Sequence, residues 1–287
     1  MKDLKDRVVV ITGAASGIGR ALALQFYAAG CRLALADINL RALQQLAQSL
    51  PPGPKVTIEA LNVSDREAMY VYAEQVMQDH GQVDILINNA GVTVVDSAET
   101  TSYADFEWLM GINFWGVVYG CRAFLPYLKQ SPDGCLVNIS SIFGLIGFPT
   151  QAAYNASKFA VKGFTESLNQ ELRLENARLR AVSVHPGGIN TNITRSARFG
   201  SQARWMGSPQ EVQDMFYSKL ARTSPDQAAA TIIRGISARR TRILIGADAH
   251  FVDWMQRLLP SGYQAVNTLC HRWLARSRTK ETKDQPD

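Results

Sequence analysis

Gly13, Gly17 and Gly19 follow the apolar run 8–12 and open a helical stretch. A strand that ends in glycines and starts a helix presents backbone N–H groups and the positive end of the helix dipole to a phosphate. The spacing GxxxGxG, with Ser16 and Ile18 on the same turn, therefore reads as a pyrophosphate cradle. Asp37 ends the next apolar run, 24 residues after Gly13. A carboxylate there can accept both ribose hydroxyls of an adenosine, which favours NAD over NADP. Capping the helix that starts near Leu40 is the structural alternative for the same side chain. Tyr154 and Lys158 stand four apart in a helical stretch, so an ammonium can sit beside a phenol on one face. A free phenol titrates near ~10, too high for a base at neutral pH, and an adjacent cation stabilises its phenolate. No metal site is expected, because Cys31, Cys121, Cys135 and Cys270 lack CxxC spacing and His80, His185, His250 and His271 are scattered. The cysteines read as buried free thiols of a reducing compartment.

These residues need elements to position them. Strand-like runs at 8–12, 32–37, 55–61, 83–88, 134–139, 180–185 and 242–245 alternate with helical patterns at 18–29, 40–49, 65–80, 103–129, 154–176 and 225–239. Seven strands spaced by helices imply an α/β fold with a doubly wound, seven-stranded parallel sheet and helices on both faces, since each parallel crossover needs its helix. Residues 190–224 break the rhythm and read as a partly helical lid bearing Phe199, Trp205, Met206, Met215, Phe216 and Tyr217. The expected organisation is one domain over 1–246, a helical C-terminal extension over 247–278 and a polar tail over 279–287. In the extension, Trp254, Met255, Leu258 and Leu259 precede a break at 260–262. A second stripe of Val266, Leu269, Trp273 and Leu274 lies among Arg272, Arg276 and Arg278. Either a helical hairpin packs over the lid or a neighbouring subunit, or this segment docks on an anionic membrane surface.

Taken with Asn88-Asn89-Ala90-Gly91, Tyr154-Asn155-Ala156-Ser157-Lys158 and Pro186-Gly187, the chain resembles the short-chain dehydrogenase/reductase family over residues 5–246. The resemblance implies a single Rossmann domain, a nicotinamide dinucleotide cofactor and hydride transfer between that cofactor and a secondary alcohol or ketone. It makes Tyr154 the proton-transferring group and Lys158 a holder of the nicotinamide ribose. Ser141, 13 residues before Tyr154, is the implied partner of the substrate oxygen. Ser140 remains the alternative, because neighbouring strand residues face opposite sides and one of the two can aim at the site. Asn113 matches the family's helix-kinking asparagine, implied to hold a relay water, or else it satisfies backbone. The resemblance places Asn89, Ala90 and Gly91 against the cofactor. Asn62 and Val63 stand where the family often has Asp-Val, and Asn62 can accept from an adenine amine. Pro186, Gly187, Ile189 and Thr191 form the implied nicotinamide cradle.

Ile142, Phe143, Leu145, Ile146 and Phe148, with the aromatic lid, point to a lipophilic substrate, steroid-like or long-chain; packing of the lid is the alternative. Reduction of a carrier- or CoA-bound 3-oxoacyl group is the enzymatic alternative, and Asp37 argues against its usual NADPH. A non-catalytic dinucleotide-sensing protein is the alternative of another class, disfavoured by the intact Ser141, Tyr154 and Lys158. The resemblance also implies a homodimer or homotetramer built through the helices at 103–129 and 154–176.

The 287 residues are 46% hydrophobic and 19% charged, which supports a full core and excludes a disordered chain. No apolar run approaches the ~20 residues of a membrane span, and no secretion-type apolar stretch opens the chain, so a cytoplasmic protein is expected. Net charge is +5, yet residues 234–280 hold nine Arg/Lys against Asp248 and Asp253. The basic excess lies away from the chemical residues, and nucleic-acid binding is not expected.

Overall fold

The computed structural model describes residues 3–175, 178–200 and 208–269. Its strands are β1 (Val8–Thr12), β2 (Arg32–Asp37), β3 (Val56–Ala60), β4 (Ile85–Asn88), β5 (Val94–Val95), β6 (Cys135–Ile139), β7 (Arg180–Pro186), β8 (Arg198–Phe199) and β9 (Arg242–Ile245). Seven of them form one parallel sheet in the order β3-β2-β1-β4-β6-β7-β9. The order reverses direction at β1 and β4, and ligands of such sheets bind outside the carboxyl ends of the strands at this point. Val9 pairs with Leu33 on one side and Ile85 on the other. The pair β5 and β8 lies apart and was not foreseen in the sequence.

The period of two along each strand decides which helices it meets. Val9 and Ile11 pack with α1 (Gly17–Ala28), α2 (Leu40–Ser49) and α8 (Pro225–Ser237). Val8 and Val10 pack on the opposite face with α3 (Arg66–His80), α5 (Gly116–Leu128) and α6 (Ala152–Glu175). Every residue of β1 is buried, so the strand reads as a continuous apolar run rather than an alternating one. Phe26 and Phe124 are the largest fully buried side chains, one on each face. Truncating either to alanine would cost about 3–5 kcal/mol.

The helix expected over 103–129 is interrupted. It runs as α4 (Tyr103–Met110), a single π-helical turn (Gly111–Trp115) and α5. The expected lid contains β8, α7 (Pro209–Met215) and a π-turn at Phe216–Leu220, while Trp205, Met206 and Gly207 fall outside the described residues. In the extension α9 (Ala247–Leu258) ends before Pro260, and helix resumes at Tyr263 and runs to Leu269. Arg272, Trp273, Leu274, Arg276, Arg278 and the tail at 279–287 lie outside the described residues.

Candidate active site

The carboxyl ends of β1 and β4 are stitched together by side chains. Asn89 Nδ2 donates to the carbonyls of Thr12 and Gly13, both at 3.0 Å, and Thr12 Oγ1 accepts the N–H groups of Asn89 and Ala90 at 3.1 and 3.2 Å. Gly13 has φ +63°, and a Cβ there would lie 2.8 Å from Ala90 Cα. A Cβ on Gly19 would lie 2.1 Å from Gly13 O, so helix α1 can begin this close to its strand because both residues are glycine. Ser16 caps none of the first-turn N–H groups of α1 with its side chain, which leaves donors beside Gly17 and Ile18 facing the loop. This is a cradle with the shape and chemistry that a pyrophosphate requires.

Asp37 accepts the Ala15 N–H at 3.0 Å and the Asn39 N–H at 2.9 Å, which fixes its carboxylate beside the glycine turn. The cap of α2 is Asn39, whose side chain accepts from Ala42 N. The capping alternative weighed for Asp37 therefore falls to its neighbour. Asn62 Oδ1 already accepts from Ser64 N and Ser64 Oγ at 3.1 and 2.8 Å, occupying the oxygen expected to meet an adenine amine. Val63 is buried against Gly116, where an added Cβ would lie 2.9 Å from its Cγ2.

At the other end, Asn113 sits in the π-turn, fully buried. Its Oδ1 accepts Val92 N at 2.8 Å, and its Nδ2 donates to Val92 O at 2.9 Å and to Ser157 Oγ at 3.2 Å. A π-turn places this amide inward, since its extra residue rotates one side chain off the regular helical face. Gly91 lies between Asn113 and Lys158, with an added Cβ 3.3 Å from the amide oxygen and 3.5 Å from Nζ.

Strand alternation separates the two serines at the end of β6. Ser140 Oγ donates to Lys158 O at 2.9 Å and is spent on α6, whereas the Ser141 hydroxyl hydrogen-bonds the Tyr154 phenol. Lys158 Nζ donates to Ile139 O at 3.0 Å and stands 5.5 Å from the centroid of the Tyr154 ring. Burial pushes the Tyr154 phenol up to about 12, against a smaller lowering by Ser141, and burial pulls Lys158 down to about 8. Desolvation dominates for both groups, and the phenol holds its proton at neutral pH. His185, fully buried on β7, bonds Ser141 O through Nδ1 at 3.1 Å and Ser183 Oγ through Nε2 at 3.0 Å, and burial pulls it down to about 4. It is neutral and fixes the backbone of Ser141.

Beyond β7, Thr191 meets Gly17, with 3.1 Å between its Cγ2 and an added Cβ, and its carbonyl accepts the Tyr217 hydroxyl at 2.6 Å. Ile189 is buried and bridges Thr223. The segment 186–191 thus reaches the glycine turn at Gly17, and the π-turn of the lid is tied to it through Tyr217. Of the expected substrate-facing residues, Phe143 stacks on Phe148 at 5.0 Å and meets Tyr154 edge-on at 6.1 Å. Leu145 and Ile146 are buried instead, and Ile146 packs with Met255 and Tyr263. Thr12, Ser157, His185 and Asp248 belong to the site's framework and were not singled out in the sequence; a polar residue ending an otherwise apolar strand was the available signal for Thr12.

Residues 7–201 match the family described as short chain dehydrogenase. The Mycobacterium tuberculosis protein SadH is 41% identical over 270 residues, covering 93% of this chain and 95% of its own. The Thermotoga maritima 3-oxoacyl-[acyl-carrier-protein] reductase FabG is 38% identical over 194 residues, 67% of this chain and 77% of its own. Among solved structures, a short chain dehydrogenase/reductase from Burkholderia phymatum in complex with NAD superposes with a TM-score of 0.82 at 28% identity, covering 90% of this chain and 95% of that one.

Proposed function

From the premise that this chain belongs to the short-chain dehydrogenase/reductase family of oxidoreductases, we propose that it interconverts a secondary alcohol and a ketone with NAD. The observation that carries the reading is the convergence of Ser141, Tyr154 and Lys158 at the mouth of a glycine cradle whose rim holds the Asp37 carboxylate. A bound nicotinamide dinucleotide supplies the hydride. The Ser141 hydroxyl orients the substrate oxygen, the protonated Tyr154 phenol gives that oxygen its proton during reduction, and Lys158 holds the ribose and lowers the cost of the phenolate left behind. Asn113 keeps the 91–92 backbone in place behind Lys158. In the glycine cradle Gly13, Ser16, Gly17, Ile18 and Gly19 meet the phosphates; Asn89, Ala90, Gly91, Pro186, Gly187, Ile189 and Thr191 line the rest, and Asp37 favours NAD by repelling a 2′-phosphate.

Phe143 and Phe148 beside Tyr154 support a lipophilic substrate. The likeness to FabG supports a second reading, reduction of a carrier- or CoA-bound 3-oxoacyl group. Absorbance at 340 nm with NAD or NADP against hydrophobic alcohols and acyl thioesters separates the two, and no turnover with any of them would leave a dinucleotide-sensing protein. Exposed Tyr103, Trp115 and Phe159 on the helices around 103–129 and 152–175 support a homodimer or homotetramer, to be read by light scattering. Buried unpaired thiols at Cys31, Cys121 and Cys135 support a cytoplasmic location. No helix among the described residues is long and apolar enough to cross a membrane. The exposed Phe251, Trp254 and Leu258 on one side of α9 support peripheral docking on an anionic lipid surface.

A further inference from the structure

The segment after β9 touches the site at two separate loops. Asp248, in the first turn of α9, accepts the Gly188 N–H at 2.6 Å, and a Cβ added to Gly187 would lie 2.1 Å from its carboxylate. Past the break at Pro260, the buried Tyr263 accepts the Gly147 N–H on its hydroxyl at 3.1 Å, while Asn267 Nδ2 donates to Gly147 O at 3.3 Å. Both polar groups of Gly147 therefore end on side chains more than a hundred positions along the chain. The residue beside it, Phe148, stacks on Phe143, which meets Tyr154. Met255 and Val252 fill the space beneath with Ile146 and Phe143. The described part of the extension thus packs on the loop that follows Ser141.

We propose that residues 247–269 are a positioning clamp of the active site: Tyr263 and Asn267 hold the loop at 142–148, Asp248 holds the turn at 186–188, and α9 sets the gap between them into which the substrate fits. The short 3-10 turn at Ile142–Gly144 leads into a stretch with few backbone partners of its own, so the loop depends on side chains from elsewhere for its place. Releasing Gly147 loosens the loop between Phe143, whose N–H stays on Ser141 Oγ at 3.1 Å, and Phe148, whose carbonyl stays on Asn155 Nδ2 at 2.9 Å, so the two rings lose their common backing rather than their anchors. A bulky substrate that needs both rings loses its aligned pose, and a small one does not. The effect on substrates rests on the alcohol/ketone reading, whereas the clamp itself does not.

Tyr263→Phe keeps the ring and removes the accepting oxygen. In the full chain, the Gly147 amide is expected to exchange with deuterium about tenfold faster, the order of one lost hydrogen bond. kcat/KM for a bulky aryl ketone is expected to fall about tenfold, while that for a small aliphatic ketone falls less than about twofold and the KM for NADH stays unchanged. Asp248→Ala is expected to raise the dinucleotide KM, and Asp248→Asn, which retains an acceptor for Gly188, to restore it. Unchanged exchange at Gly147, or an equal fall for both ketones that follows a lowered Tm, would overturn the clamp. If the wild-type protein reduces no ketone, the functional reading fails and the exchange measurement still decides on the clamp.

Discussion

Replacing Lys158 by methionine should abolish turnover and yet stabilise the protein at neutral pH. The ammonium is buried, and burial pulls its titration from 10.5 down to about 8. The folded protein therefore releases this proton more readily than the unfolded chain does. Below about pH 8 the lysine is charged in both states, and the fold carries the whole desolvation cost, about 3 kcal/mol at 1.36 kcal/mol for each pH unit. Between about pH 8 and 10.5 that cost fades, because the folded lysine is neutral while the unfolded one is still charged. Methionine fills a similar volume with no charge, but it leaves Ile139 O without the donor now at 3.0 Å, which costs about 1–2 kcal/mol. The balance is a gain of about 1 kcal/mol at pH 7, or roughly 2–4 °C in Tm for a chain of this size. As pH approaches 10 the gain disappears and the lost hydrogen bond leaves the variant less stable. Thermal unfolding of wild-type and Lys158→Met proteins followed by circular dichroism from pH 6 to 10 reads the difference directly. Titrations shared by both proteins cancel, and the range stops short of the Tyr154 phenol, pushed up to about 12. A variant less stable at every pH, or a difference that does not change with pH, would refute the argument.

Tyr154→Phe keeps the edge-on contact with Phe143 and should lower kcat at least about a thousandfold with NAD binding nearly intact; more than a tenth of wild-type kcat would contradict its role as proton donor. Asp37→Ala should erode the preference for NAD over NADP, and adding Ile38→Arg at the exposed neighbouring position should reverse it by about tenfold or more. A wild-type protein that already prefers NADP would remove Asp37 from the binding site. Full-length protein should sediment with anionic but not neutral vesicles at low salt, and Phe251→Ser/Trp254→Ser should not; no difference between the vesicle types would dispose of lipid docking.

How much of this was legible before the fold depended on the distance between cause and effect along the chain. The glycine turn, the seven strands and the helices between them follow from periodicities of a few residues, and their boundaries agree with the structure to within one or two positions. The choice between Ser140 and Ser141 also lay within reach, because strand alternation forces one of them to turn away. The break at Gly111–Trp115 was less visible: the apolar pattern runs through it, and the π-turn exists because Asn113 finds both polar groups of Val92, 21 residues upstream. Thr12 with Asn89, His185 with Ser141 and Ser157 with Asn113 lie further from local reading, since each joins elements that the sheet order brings together. A buried polar side chain announces a partner without saying which one.

The same separation explains why the substrate is harder to read than the chemistry. The frame that holds Ser141, Tyr154 and Lys158 consists of β6, β7 and α6, and its contacts are satisfied inside the sheet and its flanking helices. The surfaces left to shape a pocket are the loop at 142–148, the segment at 190–220 and the helices at 247–269, which, apart from the two-residue pairing of β8 with β5, are tied to the frame by a few side-chain bonds. A change in one of these segments can therefore alter what fits near Phe143 without disturbing Tyr154. It must keep a partner for the backbone it holds, since an abandoned Gly147 or Gly188 amide shut off from water would cost about 1–3 kcal/mol, more than the hydrogen bond's net contribution. The carboxylate at position 248, the hydroxyl at 263 and the amide at 267 fulfil that requirement here, which makes the extension, and not the dinucleotide frame, the place where this chain's selectivity is expected to be set.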